Sequence, residues 1–240
     1  MPEPLPESLP ESLPEPISGA RPEDSRSLVI RPVGTLLVLS GPSGTGKTSL
    51  SRAMVEKDPT LATTRSVTTR KPRGSGEEHY DYVSREVFLK MVGNGDFVQW
   101  IHPSFDEYYG TLRAPVEKAL SEGQDLVFDY CTEGYLNLRR FYPEQVVGVF
   151  VMAPSVEAMA VRLKGRGSES PEELVLRHHM AAKDFAFVDQ HDYHVINDDF
   201  DAALQTLLAI RRAEQARMSR QRAVLDVYAQ HAEPTLLRYY

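Results

Sequence analysis

The stretch that most constrains this chain is Gly41-Pro42-Ser43-Gly44-Thr45-Gly46-Lys47-Thr48, followed by Ser49 and Leu50. It is a complete Gly-x-x-x-x-Gly-Lys-Thr loop. The apolar run from Thr35 to Ser40 predicts a buried strand before it, and a helix is predicted from Ser49 onward. A chain that passes from strand to helix through such a loop aims its backbone N–H groups at one point, and the helix dipole adds positive potential there. Polyphosphate is the implied ligand. Lys47 is placed to bridge the outer phosphates, and the Thr48 hydroxyl to occupy one position around Mg²⁺. Gly44-x-Gly46 has no third glycine three residues later, so the loop is not a dinucleotide fingerprint.

Composition narrows what surrounds the loop. A net charge of −7 over 240 residues, with no dense basic patch, excludes a nucleic-acid binder. The single cysteine, Cys131, excludes an intramolecular disulfide and fits a reducing cytoplasm. No apolar run approaches the roughly 18 residues that cross a bilayer, and the N-terminus is acidic and proline-rich. A soluble cytoplasmic protein with no membrane partner is expected. Residues 1–32 carry an imperfect Pro-Glu-Ser-Leu-Pro repeat. Such a segment buries too little apolar area to offset its ordering entropy and is expected to be a disordered arm.

Beyond the loop, Arg65, Arg70, Lys71 and Arg73 are four cations among hydroxyls, broken by Pro72, which suits an anion clamp better than a helix face. His79–Val83, Phe97–Trp100 and Tyr108–Thr111 read as strands, and Ser84–Val92 and Ala114–Gly123 as helices. Leu126–Asp129 is an apolar strand ending in a carboxylate, placed to hold a water of a Mg²⁺ shell. Thr132–Tyr142 reads as a helix, Val146–Ala153 as the most apolar and central strand, and Tyr193–Asn197 as the last strand. Ser155 is expected to cap a helix, and a further helix starts at Phe200. The basic run Arg211, Arg212, Arg217, Arg220 and Arg222 reads as exposed turns, and residues 227–240 as a tail. His178 and His179 point to different helix faces and lack further ligands nearby, so they read as solvated rather than metal-binding.

Residues 35–222 resemble the guanylate kinases. The resemblance rests on motifs in order: the loop Gly41–Thr48, Ser66-x-Thr-Thr-Arg-x-Pro-Arg73, Tyr80, Tyr108-Tyr109-Gly110-Thr111, Gly165-Arg166-Gly167, Arg177 and Val195-Ile196-Asn197-Asp198-Asp199. It implies an α/β P-loop three-layer sandwich with a parallel central sheet, spanning 33–226. An inserted acceptor-binding region is implied at about 66–113 and a small lid at about 162–178. It further implies phosphoryl transfer from Mg²⁺·ATP to GMP. Residues Gly41 to Ser49 and Asn197 would bind ATP, with Lys47, Arg162, Arg166, Arg177 and Asp129 catalytic. Thr48, and Asp129 through water, would hold Mg²⁺. Arg70, Arg73, Tyr80 and Tyr109 would grip the acceptor phosphate, and Ser66 and Thr111 would meet the base.

Two positions depart from the family pattern. Gln99 and Cys131 stand where the resemblance implies carboxylates that read guanine. A Gln amide accepts a hydrogen bond without the charge that strengthens it, and a thiol accepts almost none. Asp106 or Glu107 is a candidate for compensation. Three functions stay open: phosphorylation of GMP (and dGMP), phosphorylation of another phosphorylated metabolite or nucleotide, or a non-catalytic binding module. Monomer and homo-oligomer also stay open.

Overall fold

The computed structural model describes residues 33–72, 79–102, 107–164 and 181–236. The chain divides into two units, Met1–Ile30 and Arg31–Tyr240, and the described residues all lie in the second.

Strand β1 (Leu36–Ser40) is buried along its whole length. Its alternate side chains serve two layers, as a strand covered on both faces requires. Leu37 and Leu39 face one core with Leu50, Met54, Leu204 and Leu207. Leu36 and Val38 face a second core with Val116, Tyr135 and Leu138. The first core lies under helices α1 (Lys47–Lys57) and α6 (Phe200–Gln215), the second under α3 (Arg113–Ser121) and α4 (Thr132–Phe141). Each fully buried leucine in these layers contributes about 1.5–3 kcal/mol.

With β2 (Leu61–Ala62), β7 (Asp125–Asp129), β8 (Val146–Met152) and β9 (Tyr193–Ile196), β1 forms a parallel sheet in the order β2-β7-β1-β8-β9. The middle strand is therefore β1, and β8, expected to be central, lies between β1 and β9. Ser155 accepts from Ala158 N at 3.1 Å and caps α5 (Val156–Lys164), as expected.

A second sheet has the order β4-β3-β6-β5, built from β3 (Ser66–Thr68), β4 (Tyr80–Tyr82), β5 (Phe97–Ile101) and β6 (Tyr109–Leu112). One face packs Val67, Phe97 and Tyr108 against Phe88 of α2 (Arg85–Asn94). Gly110 lies on that face, where a Cβ would stand 2.7 Å from the Phe97 ring. The opposite face is left for polar side chains.

Two expectations are corrected at the C-terminal end. Arg211 and Arg220 are not on exposed turns. Arg211 is 3% exposed, with its guanidinium on Asp125 Oδ2 at 2.9 Å and on Asp58. Arg220 is buried against Glu214 at 3.3 Å. A charge run on a helix signals solvent only if no carboxylate waits beneath it; Asp58 and Asp125 are distant in sequence from Arg211, while Glu214 lies six residues before Arg220. The region taken as a tail from 227 continues the helix α7 (Arg222–Leu236).

Candidate functional site

The loop between β1 and α1 is held in shape from behind. Gly46 has φ 91°, and a Cβ there would lie 2.3 Å from Asn197 Nδ2. Only glycine suits that conformation and that space. Asn197, at the end of β9, donates from Nδ2 to Thr45 O at 2.8 Å, and the Thr45 hydroxyl donates to Pro42 O at 3.0 Å. Arg162 on α5 donates to Asn197 O at 2.8 Å, tying that helix to the same support. The Lys47 ammonium donates to the carbonyls of Gly41 and Pro42, each at 2.7 Å, which sets its charge over the loop. Helix α1 begins at Lys47, two residues before the expected start, and Gly46 caps it without a side-chain hydrogen bond. Its first N–H groups therefore suit an anion.

Asp129 ends β7 beside β1, in register with Leu39. The Thr48 hydroxyl donates to Asp129 Oδ2 at 2.5 Å. Two hard oxygen donors at the edge of a phosphate loop fit Mg²⁺, whose shell is otherwise completed by water and phosphate oxygens. Among the described residues no cluster of three or more His, Cys, Asp or Glu could form an all-protein cage. Asp184 hydrogen-bonds to Thr132 and lies near Lys47; burial pushes its carboxyl above the usual range.

The polar face of the second sheet carries a row set by register. Tyr80 pairs with Ser66, Ser66 with Thr111, and Thr111 with Gln99. Directly opposed residues share a face, so these four side chains cross the sheet side by side. Gln99 joins the row because β5 shifts register between Phe97 and Gln99, an irregularity of the β-bulge kind that re-aims one side chain. Gln99 Nε2 donates to Thr111 Oγ1 at 3.2 Å, and Thr111 Oγ1 lies 2.5 Å from Tyr130 OH. Tyr130, just after β7, is 9% exposed, and burial raises its phenol well above its ordinary pKa. A second row, Tyr82, Thr68, Tyr109 and Ile101, lies next to the first. There the buried Arg70 guanidinium sits 5.0 Å from the Tyr80 ring and 5.7 Å from the Tyr82 ring.

The two halves meet. A cleft of about 230 Å³ is lined by Thr48, Asp129 and Tyr130 from the parallel-sheet half and by Ser66 and Tyr80 from the second sheet. Arg52 of α1 reaches across to His79 Nε2 at 2.5 Å.

The structure thus brings Thr48, Asp129, Ser66 and Tyr80 to one cleft, with Lys47, Asn197 and Arg162 around the loop, whereas Gln99 lines a different pocket with Trp100, Glu133 and Phe141. Cys131 caps α4 without a side-chain hydrogen bond, and burial raises its thiol above the ordinary value. Tyr109 OH donates to Glu107 Oε2 at 2.6 Å, so Glu107 is engaged in the second row rather than beside Gln99. Arg73, Asp106, Arg166, Arg177, His178 and His179 lie outside the described residues. Tyr130 was missed by sequence reasoning. A tyrosine one residue past a strand-end aspartate was its only signal, and nothing local tied it to Thr111.

A parallel sheet whose middle strand feeds a phosphate loop, joined to a second sheet that offers polar groups to the same cleft, defines a P-loop phosphotransferase-type fold. The comparisons with known proteins give the family. The family model described as Guanylate kinase matches residues 33–214. The curated guanylate kinase of Sphingopyxis alaskensis is 41% identical over 190 residues, covering 78% of this chain and 86% of that protein. That of Caldanaerobacter subterraneus subsp. tengcongensis is 38% identical over 210 residues, covering 86% and 99%. The crystal structure of guanylate kinase from Anaplasma phagocytophilum matches with a TM-score of 0.66 at 27% identity, over 79% of this chain and 90% of that one. The chain belongs to the guanylate kinase family.

Proposed function

We propose that this protein transfers the γ-phosphoryl group of ATP to the phosphate of GMP, releasing ADP and GDP. The observation that carries the reading is the shared cleft, which Thr48, Asp129 and Tyr130 line together with Ser66 and Tyr80 of the second sheet. Loop residues Gly41, Pro42, Ser43, Gly44, Thr45, Gly46, Lys47, Thr48 and Ser49 hold the donor's phosphates, and Asn197, which fixes Thr45, lies toward the adenine. Thr48, and Asp129 through water, would hold Mg²⁺, which when bound would supply positive charge against the phosphates.

Lys47, Arg162, Arg166 and Arg177 stabilise charge on the transferring group. Arg70, Arg73, Tyr80 and Tyr109 bind the acceptor phosphate, for which guanidinium forks and phenolic donors are suited. The base lies against Ser66, Gln99, Thr111 and Cys131. An acceptor phosphate dianion is already nucleophilic, so no general base is needed, and rate comes from alignment and charge neutralisation. A cytoplasmic setting, where ATP is supplied and Cys131 stays reduced, suits this role.

A coupled ADP-release assay with Mg·ATP tests the reading. GMP should stimulate release, and Lys47→Ala should abolish it while leaving the melting temperature in place. GMP-independent ADP release, or none in the wild type, would overturn it.

A further inference from the structure

We propose that Arg52 of α1 is a further acceptor-binding residue, a guanidinium that the donor half lends to the acceptor's phosphate, with His79 as the neutral partner that holds it near Tyr80 until the acceptor arrives. This rests on the phosphotransfer proposed above and adds to it a residue that none of the sequence motifs contains.

The helix sets the position. Arg52 follows Thr48 by four residues on α1, so the two share one face. Both line the cleft, together with Asp129, His79 and Tyr80. The Arg52 guanidinium crosses from the parallel-sheet half to the second sheet, with Nη2 2.5 Å from His79 Nε2. A guanidinium can only donate, so Nε2 accepts and the imidazole carries its proton on Nδ1. The His79 ring lies 5.3 Å from that of Tyr80, and the Arg70 guanidinium stands 5.0 Å from the same Tyr80 ring. Each half therefore sends one arginine toward Tyr80.

Charge decides what this arrangement suits. Among the described residues that line the cleft, Arg52 is the only lysine or arginine, against the carboxylates of Glu56 and Asp129. Arg65 of the neighbouring segment is engaged elsewhere, donating to Asp81 at 2.7 Å and to the Tyr80 carbonyl at 2.9 Å. A phosphate dianion entering the cleft meets those carboxylates, and Arg52 is the cation on the wall that offsets them. Imidazole is a neutral acceptor, whereas a phosphate oxygen is charged, and a bond to it is roughly twice as strong. The acceptor's phosphate therefore draws Arg52 away from His79. Since Arg52 shares α1 with Lys47 and Thr48, this contact also braces the helix that serves the donor.

The test compares the full-length wild-type protein with its variants, by GMP calorimetry without ATP, by guanosine competition, and by steady-state kinetics with Mg·ATP. Arg52→Gln should weaken GMP binding and raise KM for GMP by about tenfold or more, while KM for ATP stays within about twofold. Guanosine, which lacks the phosphate, should compete equally well in both proteins. Arg52→Lys keeps the charge without the fork and should recover part of the GMP affinity. His79→Ala removes the acceptor that competes with phosphate and should tighten GMP by about two- to tenfold. Equal losses for GMP and guanosine in Arg52→Gln, or a His79→Ala loss matching that of Arg52→Gln, would make the pair a structural strap and overturn the inference. A KM for ATP that rises more than that for GMP would overturn it as well. Absence of GMP-dependent ADP release in the wild type would instead overturn the phosphotransfer reading on which it rests.

Discussion

The donor loop and the acceptor sheet are built from different materials. On the proposed function the loop binds through backbone N–H groups; its shape is held by glycine conformations and by Asn197 from behind. The polar face of the second sheet, proposed to take the acceptor, offers side chains placed by strand register, with a β-bulge bringing Gln99 into line. A backbone site tolerates little change, because each glycine is fixed by space as well as by φ. A side-chain site can change its chemistry while its frame stands, and the resemblance implies such changes at Gln99 and Cys131. The two halves of one cleft therefore differ in how freely they can be retuned.

The largest effect should come from the donor half. Lys47→Ala should lower kcat by about 10²–10³-fold or more with every acceptor, because the lost charge acts on the transferring group. Loss confined to one acceptor would break the division between the halves. Gly46→Ala comes next. It places a methyl 2.3 Å from Asn197 Nδ2 at φ 91°, and should destabilise the loop by about 1–3 kcal/mol. A rise in KM for ATP, larger than that for GMP, is the readout.

Arg211→Ala separates stability from the site. It leaves Asp125 buried and Asp58 beside it without their cation, and should cost about 3–5 kcal/mol. Chemical denaturation measures that loss, and kcat per folded molecule should hold. A smaller effect is expected from the acceptor side. Gln99→Glu combined with Cys131→Asp should raise the GMP to IMP ratio by about tenfold, since charge-assisted bonds are roughly twice as strong as neutral ones. No change in the ratio would mean that register, and not charge, sets the base preference.

Acid should act on the donor half as well. Burial lowers the pKa of His191, which stacks on Tyr135 with its ring 4.2 Å away. Its contribution is complete above the ordinary histidine value of 6.5 and declines as pH falls below it, because the unfolded chain takes the proton first. Asp58, depressed chiefly by its bond from Thr60, contributes above the ordinary 3.8 and is lost as pH falls through its folded value. Melting temperature followed from pH 8 to pH 5 should fall modestly, and His191→Phe should flatten the slope.

The parallel layer was legible from the sequence because apolar alternation and glycine spacing act locally. Leu36 to Leu39 announce two buried faces, and the loop announces itself. Cross-strand chemistry was less legible. The neutral character of Gln99 and Cys131 could be read, but not the bulge that turns Gln99 toward Thr111, nor Tyr130 as its neighbour. Arg211 and Arg220 were misjudged for a related reason. Their carboxylate partners Asp58, Asp125 and Glu214 meet them only in the folded chain, so a basic run looked solvated. Helix α7 was taken for a tail because its pattern lies past the last recognisable motif.

The most direct measurement is phosphorus NMR of the wild-type protein with Mg·ATP and GMP, following every phosphate species in one sample. If the loop and the sheet serve one reaction, ADP and GDP should appear in equal amounts, and neither should appear without Mg²⁺ or without GMP. Inorganic phosphate accumulating in place of GDP, or ATP left unchanged beside GMP, would contradict the claim that the two halves share one cleft for one transfer.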